Sequence, residues 1–315
     1  MNSPKFTGTY FGKVGHDISS CSQDLNCALQ MAKLDFGAVA EPVKDIRGNV
    51  IARVQNIARV DDGNSLGVVG AGYEITQTRQ AFKYLEALPG GVNFQRGGML
   101  KGGRFFLSAE FDTFEAAPGD DMTAYGVFLS SFDGSWANRV VWVLGRHSCT
   151  NICRFEIGAA SMNKAVLRTA GTSSKSDRAG RAAKHTKNHE LKLDKFIFEL
   201  NMAQTTLREE VARLNRTPID ILQFTRLVET VIDGDSTRAE NMRGEVIGEF
   251  GNTSRGNSGR TLWDAFNSFT AFDTHLATRR ATAIATSEEN AFDSLLSGRG
   301  YADKVLPKLM ELAVN

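Results

Sequence analysis

The spacing of apolar residues changes along this chain, and that change restricts its fold more than any other feature. Up to about residue 165, short runs of β-branched and aromatic residues alternate with glycines, which is typical of strands and turns. After Glu190 the apolar residues recur every three or four positions, as on one helix face: Phe196, Leu200, Ala203, Leu207, Val211 and Leu214. Separate strand and helix regions predict an α+β fold, with an antiparallel, β-rich N-terminal part followed by a mostly helical C-terminal part.

The same change of pattern predicts how the 315 residues are organised. We expect a β-rich α+β domain over residues 1–165, a basic connecting segment over 166–190 and a helical region over 191–315. A chain of this length is long enough to bury a substantial core, as one large domain or two ordinary ones.

Turn residues between apolar runs predict the elements of the N-terminal part. The turn over residues 45–49 predicts a hairpin of strands 37–43 and 49–60, and Lys101-Gly102-Gly103 predicts another between 92–100 and 103–111. Strand pairing is also expected for 123–131 with 137–144. The remaining expectations are helices over 19–34 and 78–88 and a short strand over 73–75.

In the C-terminal part, capping signals predict where helices start. Thr217-Pro218 has the residue types of an N-cap followed by the first helical position, so a helix is expected from there to about Ile232. Further helices are predicted over 237–250, over 261–285 and from Ser287 onward. The composition of Gly251–Gly259 predicts a mobile loop between two of them.

A polar group follows the apolar strand Val140–Leu144 and is the main candidate for a site. Asp133-Gly134, before the strand, predicts a tight turn with Gly134 at positive φ. Arg146 and Asn151, after it, are expected to lie near each other and near the Asp133 turn at the rim of the sheet. Two roles stay open for them, a structural hydrogen-bond cluster and a phosphate contact.

The bulk composition excludes some classes of protein. A net charge of +1 gives no global case for binding nucleic acid or membranes. The sequence has no apolar run long enough to span a bilayer and no signal-peptide pattern at its start, so a cytoplasmic protein is expected. Its four cysteines, Cys21, Cys27, Cys149 and Cys153, are therefore predicted to be free thiols, with Cys149 buried.

Several motifs contain the residue types of chemical sites. Gly67–Gly72 has the wrong spacing for a dinucleotide loop and precedes a strand-like triplet rather than a helix. His147 and Cys149 can share a face as a catalytic pair or, with Cys153, as metal ligands, and His185 with His189 can bind metal on a helix. None of these carries a complete motif. We therefore expect no catalytic residues, no metal and no cofactor, and we do not expect an enzyme.

The strongest electrostatic feature is the segment Lys164–Lys187. It holds seven basic residues and one acidic residue, Asp177, which gives a local charge of +6 in a nearly neutral chain. Such a segment suits a phosphate backbone, and a solvated linker is the alternative. The predicted nucleic-acid contacts, including the hairpin tip and the polar group above, are Arg96, Lys101, Arg104, Arg146, Asn151, Lys164, Arg168, Lys175, Arg178, Arg181 and Lys184.

Weak motifs spread over most of the chain resemble a phage- and plasmid-borne protein family of unknown function. The matching elements are Leu25–Phe36, Tyr73–Phe82, Gly102-Gly103-Arg104, Asp133-Gly134-Ser135, Arg146, Cys149, Asn151, Lys184-His185-Thr186, Trp263–Asn267 and His275. The chain departs from the family pattern at Thr150 and Arg154. The resemblance implies mobile-element DNA biology and implies no particular reaction.

These observations together predict a phage or plasmid DNA-metabolism protein that binds nucleic acid without sequence readout, such as a single-strand-binding or annealing accessory. The expected partner is single-stranded DNA, no membrane partner is expected, and homo-oligomerisation stays open. A mobile-element protein that binds and modulates a host defence or restriction protein is the alternative. A hydrolase or nuclease ranks last, because no paired carboxylates with helical spacing support it.

Overall fold

A computed structural model describes residues 10–88, 90–117, 119–136, 138–146, 151–154, 193–277 and 286–314. Antiparallel sheets occupy the N-terminal half and helices the C-terminal part, so the predicted α+β class is confirmed. The strands are β1 His16–Asp17, β2 Ala38–Lys44, β3 Val50–Arg59, β4 Ser65–Gly70, β5 Asn93–Leu100, β6 Arg104–Ala117, β7 Asp120–Ser131, β8 Arg139–Arg146 and β9 Ile152–Arg154.

Among these residues the strands form two antiparallel sheets. Sheet A has the order β1-β5-β6-β7-β8-β9, and sheet B has the order β2-β3-β4. The α-helices are α1 Tyr10–Lys13, α2 Leu25–Met31, α3 Thr78–Phe82, α4 Leu193–Arg216, α5 Ile221–Val231, α6 Thr237–Phe250, α7 Leu262–Ala271, α8 Ser287–Leu296 and α9 Tyr301–Leu312.

Strand β7 shows why sheet A lies at the centre of the molecule. Its side chains alternate between two apolar clusters, as the two-residue period of a strand requires. Ala124 and Phe128 belong to the larger cluster, which also contains residues of the C-terminal helices. Val127 and Leu129 belong to a second cluster, which α8 completes from the other face of the sheet. The larger cluster is therefore shared by the sheet and C-terminal helices, and α8 covers the other face of the sheet.

The three predicted hairpins are confirmed, whereas a predicted strand and a predicted helix start are wrong. The three hairpins lie where the turn residues place them. The strand predicted over 73–75 is wrong, because residues 65–70 form the strand instead. The start predicted at Thr217-Pro218 is also wrong: α5 begins at Ile221 with Asp220 as its N-cap. Pro218 instead pairs with Thr261 in an isolated β-bridge.

The long helix predicted over 261–285 is shorter in the structure. Helix α7 ends at Ala271 and continues as a π-helical turn over Phe272–Leu276, after which Ala277 is extended. Residues 278–285 lie outside the described part of the chain.

The prediction of four free thiols is wrong for one pair. Cys21 and Cys27 form a disulfide with their Cα atoms 5.4 Å apart, a separation that suits the bond. The 3-10 turn at Ser19–Cys21 folds back before α2 and brings Cys21 beside Cys27 on that helix. Cys149 lies outside the described residues, so its predicted burial stays a prediction.

No helix in the described ranges has both the length and the apolar character that crossing a bilayer requires.

Candidate functional site

A buried ion pair joins the two neighbouring central strands at one end of sheet A. Arg146 is the last residue of β8 and is only 2% exposed. Its Nε donates to Oδ1 of Asp120, the first residue of β7, at 2.5 Å. The other carboxylate oxygen of Asp120 accepts the indole N–H of Trp263 at 3.0 Å. One carboxylate thus anchors a strand end and helix α7 together.

The same guanidinium holds a loop of the helical part against the sheet. Arg146 donates to Oδ1 of Asn257 at 2.6 Å and to the carbonyl of Gly256 at 2.9 Å. Asn257 is buried, and its side-chain amide donates in turn to the carbonyl of Glu249 at 2.7 Å. The loop Gly251–Gly259, predicted to be mobile from its composition, is therefore tied down at its centre.

Asn151 extends these contacts to the end of α7. Its backbone carbonyl accepts from the N–H of Arg146 at 3.0 Å, so the predicted closeness of these two residues is confirmed. Its side-chain amide donates to Oγ1 of Thr270 at 3.2 Å and to the carbonyl of Asn267 at 3.3 Å. Its Oδ1 lies 3.0 Å from Nε2 of His275 in the π-helical turn.

We call this set the Arg146 network: Asp120, Arg146, Asn151, Asn257, Trp263, Asn267 and His275. It brings together residues that are far apart in the sequence. Arg146, Asn151, Trp263, Asn267 and His275 are also the residues on which much of the family resemblance rests. Sequence reasoning missed Asp120 and Asn257, although an acid at the start of an apolar strand is a signal that a buried cation is needed nearby.

The predicted closeness of Arg146 to the Asp133 turn is wrong. Arg146 pairs with Met122 near the start of β7, whereas Asp133 follows the end of that strand. All of β8 lies between them, which at about 3.3 Å per residue separates the two by roughly 23 Å. The network and the turn therefore close opposite ends of the same strand pair.

The network has the properties of a structural cluster. Its charges are removed from water, and its hydrogen bonds are directed at one another rather than toward the surface. Of the two roles open for Arg146 and Asn151, this burial favours the structural hydrogen-bond cluster over a phosphate contact, which requires exposed donors. The side-chain amide nitrogen of Asn267 is buried without a hydrogen-bond partner among the described residues.

A pocket of about 390 Å³ lies beside the π-helical turn. Phe272, Leu276 and Tyr301 form its apolar wall, and Arg238 and Glu245 of α6 supply charged groups. Helical turns of the π type are frequent at functional sites, and a pocket of this size suits a small ligand. The π-helical turn thus contacts the Arg146 network through His275 and the pocket through Phe272 and Leu276.

At the opposite end of sheet A, close contacts between backbones form what we call the Asp133 corner, made of Gly67, Gly103, Asp133 and Gly134. Gly134 has φ +71° and Asp133 accepts from the N–H of Ser135 at 2.8 Å, so the predicted tight turn is confirmed. A Cβ at Gly103 would overlap the backbone oxygen of Leu66 in β4. The corner is where sheet B meets sheet A.

Two of the predicted nucleic-acid contacts on β5 and β6 are engaged inside the molecule. Arg96 donates to the carbonyls of Val14 and Gly15 at 3.0 and 2.9 Å, and burial lowers the pKa of its guanidinium. Arg104 pairs with Asp293 of α8 at 2.8 Å and lies over the ring of Trp136. Lys101, at the hairpin tip, is exposed.

The remaining predicted contacts, Lys164, Arg168, Lys175, Arg178, Arg181 and Lys184, lie outside the described residues, as do His147, Cys149, His185 and His189. The described neighbours of this stretch are β9, which ends at Arg154, and α4, which begins at Leu193. Within the described ranges, no group of three or more histidine, cysteine, aspartate or glutamate side chains is arranged to hold a metal ion.

Comparison with known families identifies the family to which the chain belongs. A family model described as "Domain of unknown function (DUF932)" matches residues 65–296, which is more than half of the sequence, so the chain belongs to this family. The match begins at β4 and ends with α8, and it includes both the Arg146 network and the Asp133 corner. Searches of curated proteins and of solved structures give no match.

Proposed function

We propose that this DUF932 protein is a nucleic-acid-binding protein of a phage or plasmid, acting in the cytoplasm, that contacts the phosphate backbone without reading sequence. The observation that carries the proposal is the charge of the segment Lys164–Lys187, seven basic residues against one acidic residue in a chain of net charge +1. Lysine and arginine side chains that neutralise phosphates release counterions, and this release favours binding to any sequence. Single-strand binding or annealing fits such a contact.

In the described residues, several predicted DNA-contact arginines have internal structural roles instead. The arginines that are fixed inside the molecule, Arg96, Arg104 and Arg146, hold strands, helices and loops together. Arg104 and Arg146 are paired with carboxylates, and Arg96 is bound to two backbone carbonyls. The largest local excess of positive charge in the sequence lies in the segment between β9 and α4.

The test is an electrophoretic shift assay with single- and double-stranded DNA at several salt concentrations. If about four side chains of the segment contact a single strand, the log–log salt slope should approach −3, at roughly 0.7 per contact. Replacing Arg178, Arg181 and Lys184 with Ala should flatten this slope by about 2 units on the same basis.

A control variant should replace three exposed cations elsewhere, Lys83, Arg226 and Lys308, with Ala. This variant has the same change in net charge, so it should bind much as the original protein does if the segment is the binding surface. A protein that binds neither DNA form even at low salt would contradict the proposal and favour a solvated linker.

A second candidate function is binding to a host defence or restriction protein. The observation that favours it is the solvent face of sheet B, where Val39 and Val68 share one face of the sheet and are both exposed. Apolar side chains that are exposed together on one face are a feature of protein-interaction surfaces. Replacing Val39 and Val68 with Ser should then leave DNA binding unchanged while it weakens binding to the host protein.

A further inference from the structure

The hairpin of β2 and β3 is buried only at its base. Ala38 and Ile57 lie in the core, whereas Val50 is 57% and Ile51 42% exposed farther along. Residues 50–53 are all exposed in succession. Because successive side chains of a strand point to opposite faces, both faces of the ribbon are in solvent over this stretch. We call Glu41–Arg53 the β2–β3 arm.

The tip of the arm has a defined shape. Oδ1 of Asp45 accepts from the N–H groups of Arg47 and Asn49 at 2.8 and 2.9 Å, and Gly48 has φ +85°. These hydrogen bonds, those from Asn49 first, lower the pKa of Asp45 and keep it ionised. The turn places Ile46 at the end of the arm with its side chain fully exposed, at 103% of the reference area.

The arm carries three cations that are placed around the ribbon. Lys44 is paired in register with Val50, so these two share a face, whereas Arg53 is three residues from Val50 and lies on the other face. Arg47 lies in the turn. Within the described part of the chain, none of the three side chains forms an ion pair, in contrast to Arg59, Arg104 and Arg208.

We infer that the β2–β3 arm enters a groove of duplex DNA, an inference that rests on the proposed nucleic-acid function and names its duplex partner. The major groove is about 12 Å wide and admits a two-stranded β-ribbon. Cations on both faces can then reach the phosphates of both groove walls, and the apolar side chain of Ile46 at the tip packs against the floor of the groove. The arm, EPVKDIRGNVIAR, has no aromatic residue, so it offers no stacking platform for single strands.

The experiment compares a short duplex with a single strand of the same sequence over a range of salt concentrations. Replacing Lys44, Arg47 and Arg53 with Gln should flatten the duplex salt slope by about 2.7 units, at roughly 0.9 per contact. The single-strand slope should stay unchanged. Ile46→Ser should weaken duplex binding by about tenfold, because the apolar contact is lost. Thermal unfolding should be unaltered in both variants, since these side chains lie outside the core.

The matched control is the replacement of Lys83, Arg226 and Lys308 with Gln, which removes the same charge from other exposed positions. If the protein binds duplex and the arm variants bind it with unchanged affinity and slope, the arm inference is overturned and the proposed function stands. If neither DNA form is bound, the proposed function fails as well. If the arm variants leave DNA binding unchanged but alter the mass of the protein measured by light scattering, the arm docks a second copy and the inference is overturned.

Discussion

The two ends of the β7–β8 pair are closed by different physical means. At the Asp120–Arg146 end, buried charged and polar side chains from distant parts of the chain satisfy one another. At the Asp133 corner, glycines allow backbones of two sheets to approach so closely that a Cβ would not fit. The first end should therefore be sensitive to the loss of a partner group, and the second to the gain of a single carbon atom.

The largest effect is expected at the Arg146 network. Asp120→Ala should lower the free energy of unfolding by about 3–5 kcal/mol, because it leaves the Arg146 guanidinium buried without its counter-ion. The indole N–H of Trp263 also loses its acceptor. Asp120→Asn keeps an acceptor and should cost less. Urea denaturation measures both.

The matched comparison is Asp112→Ala, which removes the partner of Arg208, a side chain that is half exposed. An exposed pair of this kind contributes about 0–1 kcal/mol. Equal losses in Asp120→Ala and Asp112→Ala would show that the buried network does not have the role assigned to it.

A smaller loss is expected at the Asp133 corner. Gly103→Ala should destabilise the protein by about 2–4 kcal/mol, from the positive φ of +72° together with overlap against the Leu66 backbone. Gly63→Ala is the control: it has φ +71°, and a Cβ there meets nothing within 4 Å. The control should show only the conformational cost of about 1–2 kcal/mol. If the two variants unfold at the same denaturant concentration, the close approach of Gly103 to the Leu66 backbone does not contribute to the stability of the corner.

Loss of the hydrogen bonds of Asn151 should lower the free energy of unfolding by less than the changes at Asp120 and Gly103. Asn151→Ala removes groups that bond Thr270 and His275, and should cost about 1–3 kcal/mol. A double-mutant cycle with His275→Ala should give a coupling energy of about 0.5 kcal/mol or more. Strictly additive losses in the cycle would mean that the contact between Asn151 and His275 does not stabilise the fold.

The smallest effect concerns a half-buried carboxylate on α4. Burial raises the pKa of Glu210, and the nearby Arg213 offsets this only in part. The folded state therefore binds the proton more tightly than the unfolded state, so the stability from this group is present in acid and is lost as the pH rises through the raised pKa. In contrast to the loss expected for Asp120, Glu210→Gln should stabilise the protein at neutral pH by less than about 1 kcal/mol.

The control for Glu210→Gln is Glu229→Gln, at an exposed carboxylate on α5. It removes the same charge without changing a desolvated group, whereas the neighbouring Glu209 itself raises the pKa of Glu210. A stabilisation that is equal in the two variants, or that persists unchanged in acid, would contradict the assignment to burial.

The candidate site was predictable in its parts but not in its position. The sequence places Arg146 and Asn151 at the end of an apolar strand, and the structure confirms that they lie together. The sequence does not reveal that β8 extends away from the Asp133 turn, so that Arg146 and Asn151 lie at the opposite end of the sheet. Asp120 was missed although an acid at the start of an apolar strand signals a buried cation nearby, and Asn257 was missed because nothing close to it in the chain marks it as a partner of Arg146.

Local chemistry determined much of this protein from the sequence by itself. Turn residues at 45–49, 101–103 and 133–134 specified the hairpins, and the change from strand to helical spacing specified the α+β class, since these signals act over a few residues. Only the tertiary structure decided that Asp120, Arg146, Asn257 and Trp263 would meet. These four residues meet because burial of the apolar core brings the ends of distant segments together. Water is then excluded from the Asp120–Arg146 end of the sheet, so each charged group there needs a partner within the protein.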